Sequence, residues 1–355
     1  MRLVGSAAFK AVGTSDPRPA GSIPVHLRHS LLLIARRVAV VAAVALFLAP
    51  AGIARADAAR PGNTQSIVES VDPASDAVRF DVVGSDAFMR VRASQGHTVE
   101  IAGYEGEPFV KIDRSGTVWV NDASTTLAIS ASRYGSATSS ETAARSTKQA
   151  VKWTRVRGDG TYLWHDHRVH WMSPTTPPTV DASGLVQKWI LKATVDGVPT
   201  IVSGSLYLRS TPGSWWWSAA FVACVAALFA SRRVRLLVLA TGGVVATLIG
   251  ALAFWGMPSG SRPSPTLFVL GIAALVLVMV ARILRRQTEI VDALAASSGV
   301  ALVVLVVLAR DFVTQRFVPG IGDEWWIRFV VPAVAGAAIA VSVTSMRALL
   351  AAPKK

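Results

Sequence analysis

Apolar and polar residues are distributed in three different ways along the chain. Residues 1–56 carry one short apolar stretch behind basic residues, residues 57–213 carry short apolar runs separated by turn residues, and residues 214–355 carry long unbroken apolar runs. Short runs bounded by turn residues are typical of β-strands, whereas runs of roughly 17–20 apolar residues match a hydrocarbon layer ~30 Å thick. The sequence therefore predicts a targeting segment, a β-rich domain and a helical membrane domain.

The first segment has the pattern of a secretory signal peptide. Arg36 and Arg37 precede the apolar run 38–48, Pro50 follows, and Ala54-Arg55-Ala56 provides a small-residue cleavage site. A basic flank, a short apolar core and an A-x-A site together direct export. We expect cleavage after Ala56, and the alternative is a retained N-terminal anchor. In both cases the chain that follows is exported.

Residues 57–213 are expected to form an extracytoplasmic, mainly β domain that resembles a β-sandwich. Strands are predicted at 88–93 and 98–102, and hairpins at 108–121 and 186–208, the second around Asp196-Gly197. An Asp-Gly pair supplies the positive φ angles of a tight hairpin turn. Many short strands without a strong helix between them are typical of a sandwich.

Three other stretches of this domain carry separate predictions. Residues 57–75 are polar and are interpreted as a mobile lead-in, and residues 136–148 as a flexible loop. The turn at 158–160 leads straight into the β-rich run 161–164, and if the strand extends to residue 168 it includes the histidine-rich stretch described below.

The C-terminal part predicts five transmembrane helices. Their apolar runs cover residues 214–231, 236–255, 265–281, 290–309 and 327–346. Basic residues concentrate in the first and third joints and in the tail, which places those segments on the cytoplasmic side. The β-domain then lies outside and the C-terminus inside. Six tryptophans fall at the predicted outer interface: Trp215, Trp216, Trp217, Trp255, Trp325 and Trp326.

The net charge of +14 follows this topology. Residues 1–56 contribute +6, residues 57–213 contribute zero, and residues 214–355 contribute +8. The excess therefore lies in the targeting segment and the joints between apolar runs, as the positive-inside rule requires. We expect the lipid bilayer as a partner and no nucleic acid.

The predicted helices lack the groups that pumps and carriers use. Their central portions contain no Asp, Glu, Lys, Arg or His, and intramembrane ionisable residues are the usual mark of an ion path. Small-residue surfaces at Gly242-Gly243, Gly250 and 333–338 favour close helix packing, within the chain or with another membrane protein. The single cysteine, Cys224, lies in an apolar run and is interpreted as a buried hydrophobe.

The candidate chemistry lies in one nine-residue stretch, 164–172, which reads Trp-His-Asp-His-Arg-Val-His-Trp-Met. It holds three of the six histidines of the chain. His165 and His167 would lie on one face of a strand, His170 would join them if the chain bends near Val169, and Met172 could add a thioether. Three imidazoles with an optional sulfur suit copper, and zinc less well. His97 is a further candidate if folding brings it close.

Asp166 is expected to be a partner of Arg168 or an acceptor for an imidazole N–H rather than a ligand. The leading hypothesis is thus a membrane-anchored protein that captures or hands over copper. The alternative is a structural or assembly factor that docks a partner membrane protein, with the His-Trp stretch as a packing cluster. No nucleophile with a base at readable spacing is present in the sequence, so a metal enzyme is the third and least favoured hypothesis.

The stretch 165–172 resembles the HDHRxHWM signature of a family of actinobacterial membrane-anchored proteins that is loosely associated with copper-resistance proteins of the cell envelope. The runs 103–109 (Gly-Tyr-Glu-Gly-Glu-Pro-Phe) and 133–135 (Arg-Tyr-Gly) are also similar to that family's pattern. The resemblance covers roughly residues 78–210. It implies a secreted β-domain outside the membrane and a link to copper, and it provides no catalytic residues.

Overall fold

The structure is a computed structural model that describes residues 58–131, 133–134, 150–173, 175–177 and 180–351. The predicted signal peptide and the predicted loop 136–148 lie outside these residues.

The N-terminal domain is built from antiparallel β-sheets. Its strands are β1 (Thr64–Asp72), β2 (Val78–Val83), β3 (Phe88–Ala93), β4 (Val99–Ala102), β5 (Pro108–Ile112), β6 (Val118–Asn121), β7 (Trp153–Arg157), β8 (Thr161–Trp164), β9 (Leu185–Val195) and β10 (Val198–Leu208). A short helix, α1 (Thr125–Ile129), follows β6. Seven strands form one sheet in the order β1-β10-β9-β4-β5-β6-β7, and three form another in the order β2-β3-β8.

One hydrophobic core joins the two sheets. Phe80 and Val91 come from the three-stranded sheet, whereas Ile101, Phe109 and Leu191 come from the seven-stranded sheet, and all five are buried in the same cluster. Burying apolar side chains is the main favourable term in folding, at about 25 cal/mol per Å² removed from water. The strands flanking the histidine stretch are therefore held by a continuous core.

The hairpin predictions are confirmed. β5 and β6 pair as expected, and β9 and β10 pair along their full lengths. The turn between β9 and β10 has Asp196 at φ 50° and Gly197 at φ 82°, the two positive angles of a type I′ turn.

The prediction of a mobile lead-in at 57–75 is wrong. Thr64–Asp72 is a nine-residue strand that pairs with β10, with Thr64 opposite Leu208 and Asp72 opposite Ile201. Its polar composition fits an edge strand, whose outward face is solvated, and its stability comes from a partner far along the sequence. Strand β7 and helix α1 were not predicted either.

The C-terminal domain is helical. A 3₁₀ turn (Ser214–Trp217) leads into α2 (Ser218–Leu228), followed by α3 (Arg232–Trp255), α4 (Thr266–Ile283), α5 (Thr288–Leu308), the short α6 (Asp311–Thr314) and α7 (Trp325–Ala351). Four of these, α3, α4, α5 and α7, are long and apolar enough to cross a membrane. The protein is therefore a membrane protein, and the residues that the structure describes include four candidate spans. The first of the five predicted spans, 214–231, contains only an 11-residue α-helix and is not confirmed.

The small residues of these helices pack inside the chain. A Cβ on Gly336 of α7 would lie 1.8 Å from the carbonyl oxygen of Ala220 in α2, and one on Gly250 would lie 2.5 Å from the backbone nitrogen of Phe268. Glycine is therefore needed where these backbones approach one another.

The β-domain contacts one end of the helical domain. Gly62 forms a β-bridge with Phe317, the Asn63 side chain accepts the Arg316 backbone N–H at 2.8 Å, and Met257 packs against Ala87. These helical-domain residues belong to the segments α3–α4 and α6–α7. The arginine-rich joints are at the opposite ends of the same helices, where Arg232 pairs with Asp292 at 2.7 Å.

Candidate functional site

The histidine stretch begins where the strand ends. Strand β8 covers Thr161–Trp164, so the condition that the strand extends to residue 168 is not met. Asp166 causes the departure from the sheet, because its carbonyl accepts the Val169 N–H at 3.0 Å and its Oδ1 accepts the Arg168 backbone N–H at 3.0 Å. An aspartate that bonds the backbone two residues later is a typical turn initiator.

Asp166 also anchors the side chains around this turn. Its carboxylate accepts two hydrogen bonds from Arg168, from Nε at 2.8 Å and from Nη2 at 2.6 Å, and one from Trp164 Nε1 at 2.9 Å. The expectation that Asp166 is a partner of Arg168 is confirmed. With both oxygens occupied, this carboxylate serves to shape the turn.

The turn brings the three predicted histidines together. The His167 and His170 ring centres are 5.2 Å apart and those of His165 and His170 are 6.3 Å apart, with the planes close to perpendicular in both pairs. Two imidazoles that share an ion at 2.0–2.1 Å have ring centres about 5–6 Å apart. The spacing of the rings is therefore close to that of a shared ligand set.

His165 is fixed on the side that faces the helical domain. Its Nδ1–H donates to the carbonyl of Ala87 at 2.6 Å, and its ring stacks on Phe88 with the centres 4.1 Å apart. Ala87 and Phe88 share a buried cluster with Met257 from the α3–α4 connection. The position of this histidine is therefore coupled to the contact between the two domains.

His170 is the most enclosed of the three, with no accessible surface. Its Nδ1–H donates to the Trp171 carbonyl at 3.2 Å, and its Nε2 is a buried nitrogen without a hydrogen-bond partner in the described part of the chain. Burial, together with the nearby Arg133 cation, lowers the pKa of His170 to about 3. The ring is therefore neutral at physiological pH, and its Nε2 carries a lone pair that no donor in the described residues uses.

Tyr104 supports the third histidine. Its hydroxyl oxygen accepts the backbone N–H of His167 at 2.8 Å, and its ring stacks on His167 with the centres 5.9 Å apart. Burial, together with the Asp166 carboxylate, raises the pKa of Tyr104 to about 12. The hydroxyl is therefore protonated and acts as a fixed hydrogen-bonding group.

The loop that carries Tyr104 is itself held by a buried carboxylate. Glu107 Oε1 accepts hydrogen bonds from the hydroxyls of Ser124 at 2.6 Å and Thr126 at 2.7 Å. Burial opposes ionisation of Glu107, but these hydrogen bonds outweigh it and lower the pKa of the carboxyl. A Cβ on Gly103 would lie 2.1 Å from Glu107 Oε1, so only glycine fits there.

The two remaining candidates are placed elsewhere. Met172 is 40% exposed, in contrast to the buried His165 and His170. His97 does not complete the set, because its Nδ1 bonds Asp196 Oδ2 at 2.7 Å beside the β9–β10 turn.

The carboxylates next to the cluster are already neutralised. Asp86 pairs with Arg133 at 2.8 Å, and Asp166 pairs with Arg168. Both aspartates are almost completely buried. The surroundings of the three imidazoles therefore carry little net charge.

The three histidines meet some, but not all, of the requirements of a metal site. His170 offers a buried, unpartnered Nε2 whose opposite nitrogen is held by a carbonyl, the arrangement usual for a metal-binding histidine. Across the described ranges, however, no group of three or more His, Cys, Asp or Glu side chains is arranged to hold an ion as it stands. Ring reorientation at His165 or His167 would be needed to complete such a site.

No protein-family model, no curated protein and no solved structure matches this chain.

Sequence reasoning found the three histidines from their clustering but missed the groups that hold them. Ala87, Phe88, Tyr104 and Arg133 reach the cluster only through the fold. The sequence singles out the run 103–109 only through a resemblance and does not predict that its Tyr104 stacks on His167.

Proposed function

We propose that the protein is a multi-pass membrane protein whose exported domain binds a copper ion through His165, His167 and His170, for capture or handover at the outer face. The observation that carries this proposal is the unpartnered Nε2 of His170. An unsatisfied buried polar atom costs about 1–3 kcal/mol, and a bound ion is one of the few ways to recover that cost. The neutral state of His170 supports ligation, because only neutral imidazole binds a metal.

The charge around the cluster favours Cu(I) over Cu(II) or Zn(II). The two buried carboxylates are already paired with arginines, so the positive charge of an ion would not be compensated. The desolvation cost of an ion rises with the square of its charge, which penalises a divalent ion far more than a monovalent one. Met172, two residues after His170, would add a soft donor if its exposed side chain turned towards the histidines.

The same proposal gives the β-domain a sandwich-like form and places it outside the cytoplasm. The basic joints lie at the ends of the helices that face away from the β-domain, which agrees with the positive-inside rule. The segment 214–231 leads from the β-domain to Arg232, which pairs with Asp292 at the opposite end of the bundle. We therefore retain five crossings, with the C-terminus in the cytoplasm.

A second candidate function is structural, and one specific observation favours it. His165 donates to the Ala87 carbonyl and stacks on Phe88, and both residues share a buried cluster with Met257 of the helical domain. In this alternative the histidines hold the β-domain in place over the helices, where a partner membrane protein docks, and no metal is bound.

The test is a metal titration of the full-length protein purified in detergent. Cu(I) held in a competing chelator and Zn(II) are added separately to the wild type, to His170→Phe and to His97→Gln as a matched control. We expect one equivalent of Cu(I) on the wild type and on His97→Gln, weaker Zn(II) binding, and at least a tenfold loss of Cu(I) affinity in a still-folded His170→Phe.

Two results would contradict the proposal. One is a wild type that binds no copper, and the other is a His170→Phe variant that binds it as the wild type does. If no copper binds and His165→Ala lowers the melting temperature, the structural alternative is supported instead.

A further inference from the structure

A cleft of about 720 Å³ lies where the β-domain meets the segment before α7. The β-domain contributes Asp181, Leu208 and Arg209 to its lining, and the helical domain contributes Arg316 and Phe317. This volume is within the usual range of ligand sites, ~300–1,000 Å³. The cleft is separate from the histidine cluster, and none of the three histidines lines it.

Arg209 presents unused hydrogen-bond donors to this cleft. Its Nε donates to Gln65 Oε1 at 3.2 Å, and its guanidinium lies over the Tyr207 ring, 4.5 Å from the ring centre. Within the described residues, neither terminal nitrogen of Arg209 has a hydrogen-bond partner. The ring and Gln65 thus hold the guanidinium in place while its outer edge remains available.

Arg316 faces the same space from the helical domain. Its Nε donates to Asp323 Oδ2 at 2.8 Å and its Nη1 to Ser210 Oγ at 3.0 Å, and Ser210 is the residue next to Arg209. Its Nη2 has no hydrogen-bond partner in the part of the chain that the structure describes. Two guanidinium groups with unused donors therefore line one cleft, and the planar fork of arginine is well matched to phosphate oxygens.

The position of the cleft indicates which phosphate would reach it. Trp215 follows Arg209 by six residues and is 62% exposed, and Trp325 follows Arg316 by nine residues and is 64% exposed. Exposed tryptophans at the ends of membrane helices lie at the level of the lipid headgroups. The apolar Leu208 and Phe317 in the lining suit the glycerol and first methylene groups of a lipid.

We infer that this cleft binds a phosphate group through Arg209 and Arg316, supplied either by a phospholipid headgroup or by a free phosphate-bearing solute. The inference stands independently of metal binding, since none of its residues belongs to the histidine cluster.

The test compares three forms of the full-length protein, extracted in mild detergent and washed extensively. They are the wild type, Arg209→Gln, and the control Arg155→Gln, whose side chain is exposed on β7 at the opposite edge of the sheet from β1. Retained phospholipid is counted by native mass spectrometry and by phosphorus assay. A second arm measures the rise in melting temperature on addition of inorganic phosphate to delipidated protein.

We expect the wild type and Arg155→Gln to retain phospholipid and Arg209→Gln to retain at least fivefold less. If no lipid is retained but inorganic phosphate stabilises the wild type and not Arg209→Gln, the ligand is a soluble phosphate. If Arg209→Gln folds poorly, Arg209→Lys replaces it, because lysine keeps the positive charge but lacks the planar guanidinium group. This variant is expected to retain an amount of phospholipid between those of the wild type and Arg209→Gln. Equal retention by folded wild type and variants, or no phosphate response in either arm, would overturn the inference.

Discussion

The carboxylate of Asp166 accepts two hydrogen bonds from Arg168, which is only two residues further along the chain. Nε donates to Oδ1 at 2.8 Å and Nη2 donates to Oδ2 at 2.6 Å. Asp166 is completely buried, whereas the Arg168 side chain keeps 21% of its surface exposed. This ion pair closes the turn on which the three histidines are placed, so the order of the cluster depends on it.

Asp166→Asn is expected to destabilise the protein by about 3 kcal/mol, or roughly 6–12 °C in melting temperature. It leaves the Arg168 cation largely buried without its counter-charge, and such losses are costly. The control is Asp159→Asn, which breaks the exposed pair with Arg157 and should cost less than about 1 kcal/mol. The melting temperatures of the two variants test this prediction. Equal decreases in melting temperature would contradict a structural role for the buried Asp166 carboxylate.

His170 makes stability depend on pH in a defined window. The unfolded chain takes up a proton at this residue below about pH 6.5, whereas the folded protein does not until about pH 3, because burial disfavours the charged ring. Acid therefore favours the unfolded state, and the stability contributed by this group is lost as pH falls from 6.5 towards 3. Between pH 7.5 and 5 the loss is about 2 kcal/mol.

The difference between wild type and His170→Phe isolates this effect, since both carry the same titrating carboxylates. Chemical denaturation at pH 7.5, 6 and 5 should show the variant losing less stability on acidification than the wild type. Parallel pH profiles would show that His170 is not held neutral in the folded protein.

The contact between α2 and α7 depends on the absence of a side chain at Gly336. An added Cβ would lie 1.8 Å from the Ala220 carbonyl oxygen, so Gly336→Ala should push the helices apart and cost about 1–3 kcal/mol. Gly260→Ala is the matched control, because no heavy atom lies within 4 Å of its Cβ position. Melting temperatures in detergent would test this, and an unaffected Gly336→Ala would mean that α2 does not pack here.

The side of the membrane on which the β-domain lies can be determined by labelling intact cells with a membrane-impermeant thiol reagent. In a Cys224→Ser background, Gly260→Cys in the α3–α4 connection should be labelled from outside, because that connection lies on the side of the β-domain. Arg286→Cys, between α4 and α5, should be labelled only after permeabilisation. The reverse pattern would place the β-domain in the cytoplasm.

Local chemistry explains what the sequence could predict. The β9–β10 hairpin is predictable because Asp196 and Gly197 determine its turn within two residues. The four long helices are predictable because the thickness of a membrane sets the length of an apolar run, independently of contacts with the rest of the chain.

Contacts between residues far apart in the chain explain which features the sequence could not predict. Strand β1 has a polar sequence and exists because β10 pairs with it, with Ser70 opposite Ser203. The sequence does not determine where β8 ends, since an alternating pattern does not reveal that Asp166 bonds the Arg168 backbone N–H. The environment of His170 depends on Arg133 and on neighbours from other strands, which no local pattern encodes.

The bonds from the first residues of the β-domain to the segment before α7 have a consequence for biogenesis. Asn63 and Gln315, whose side chains meet in this contact, are 252 residues apart. At about 5–20 residues per second, translation needs roughly 13–50 s to supply the second partner after the first. During that interval the first residues of the β-domain, Asn63 among them, are synthesised but lack their partners from the segment before α7. A chaperone or the translocon itself would therefore be expected to shield these residues until the last helix has been inserted.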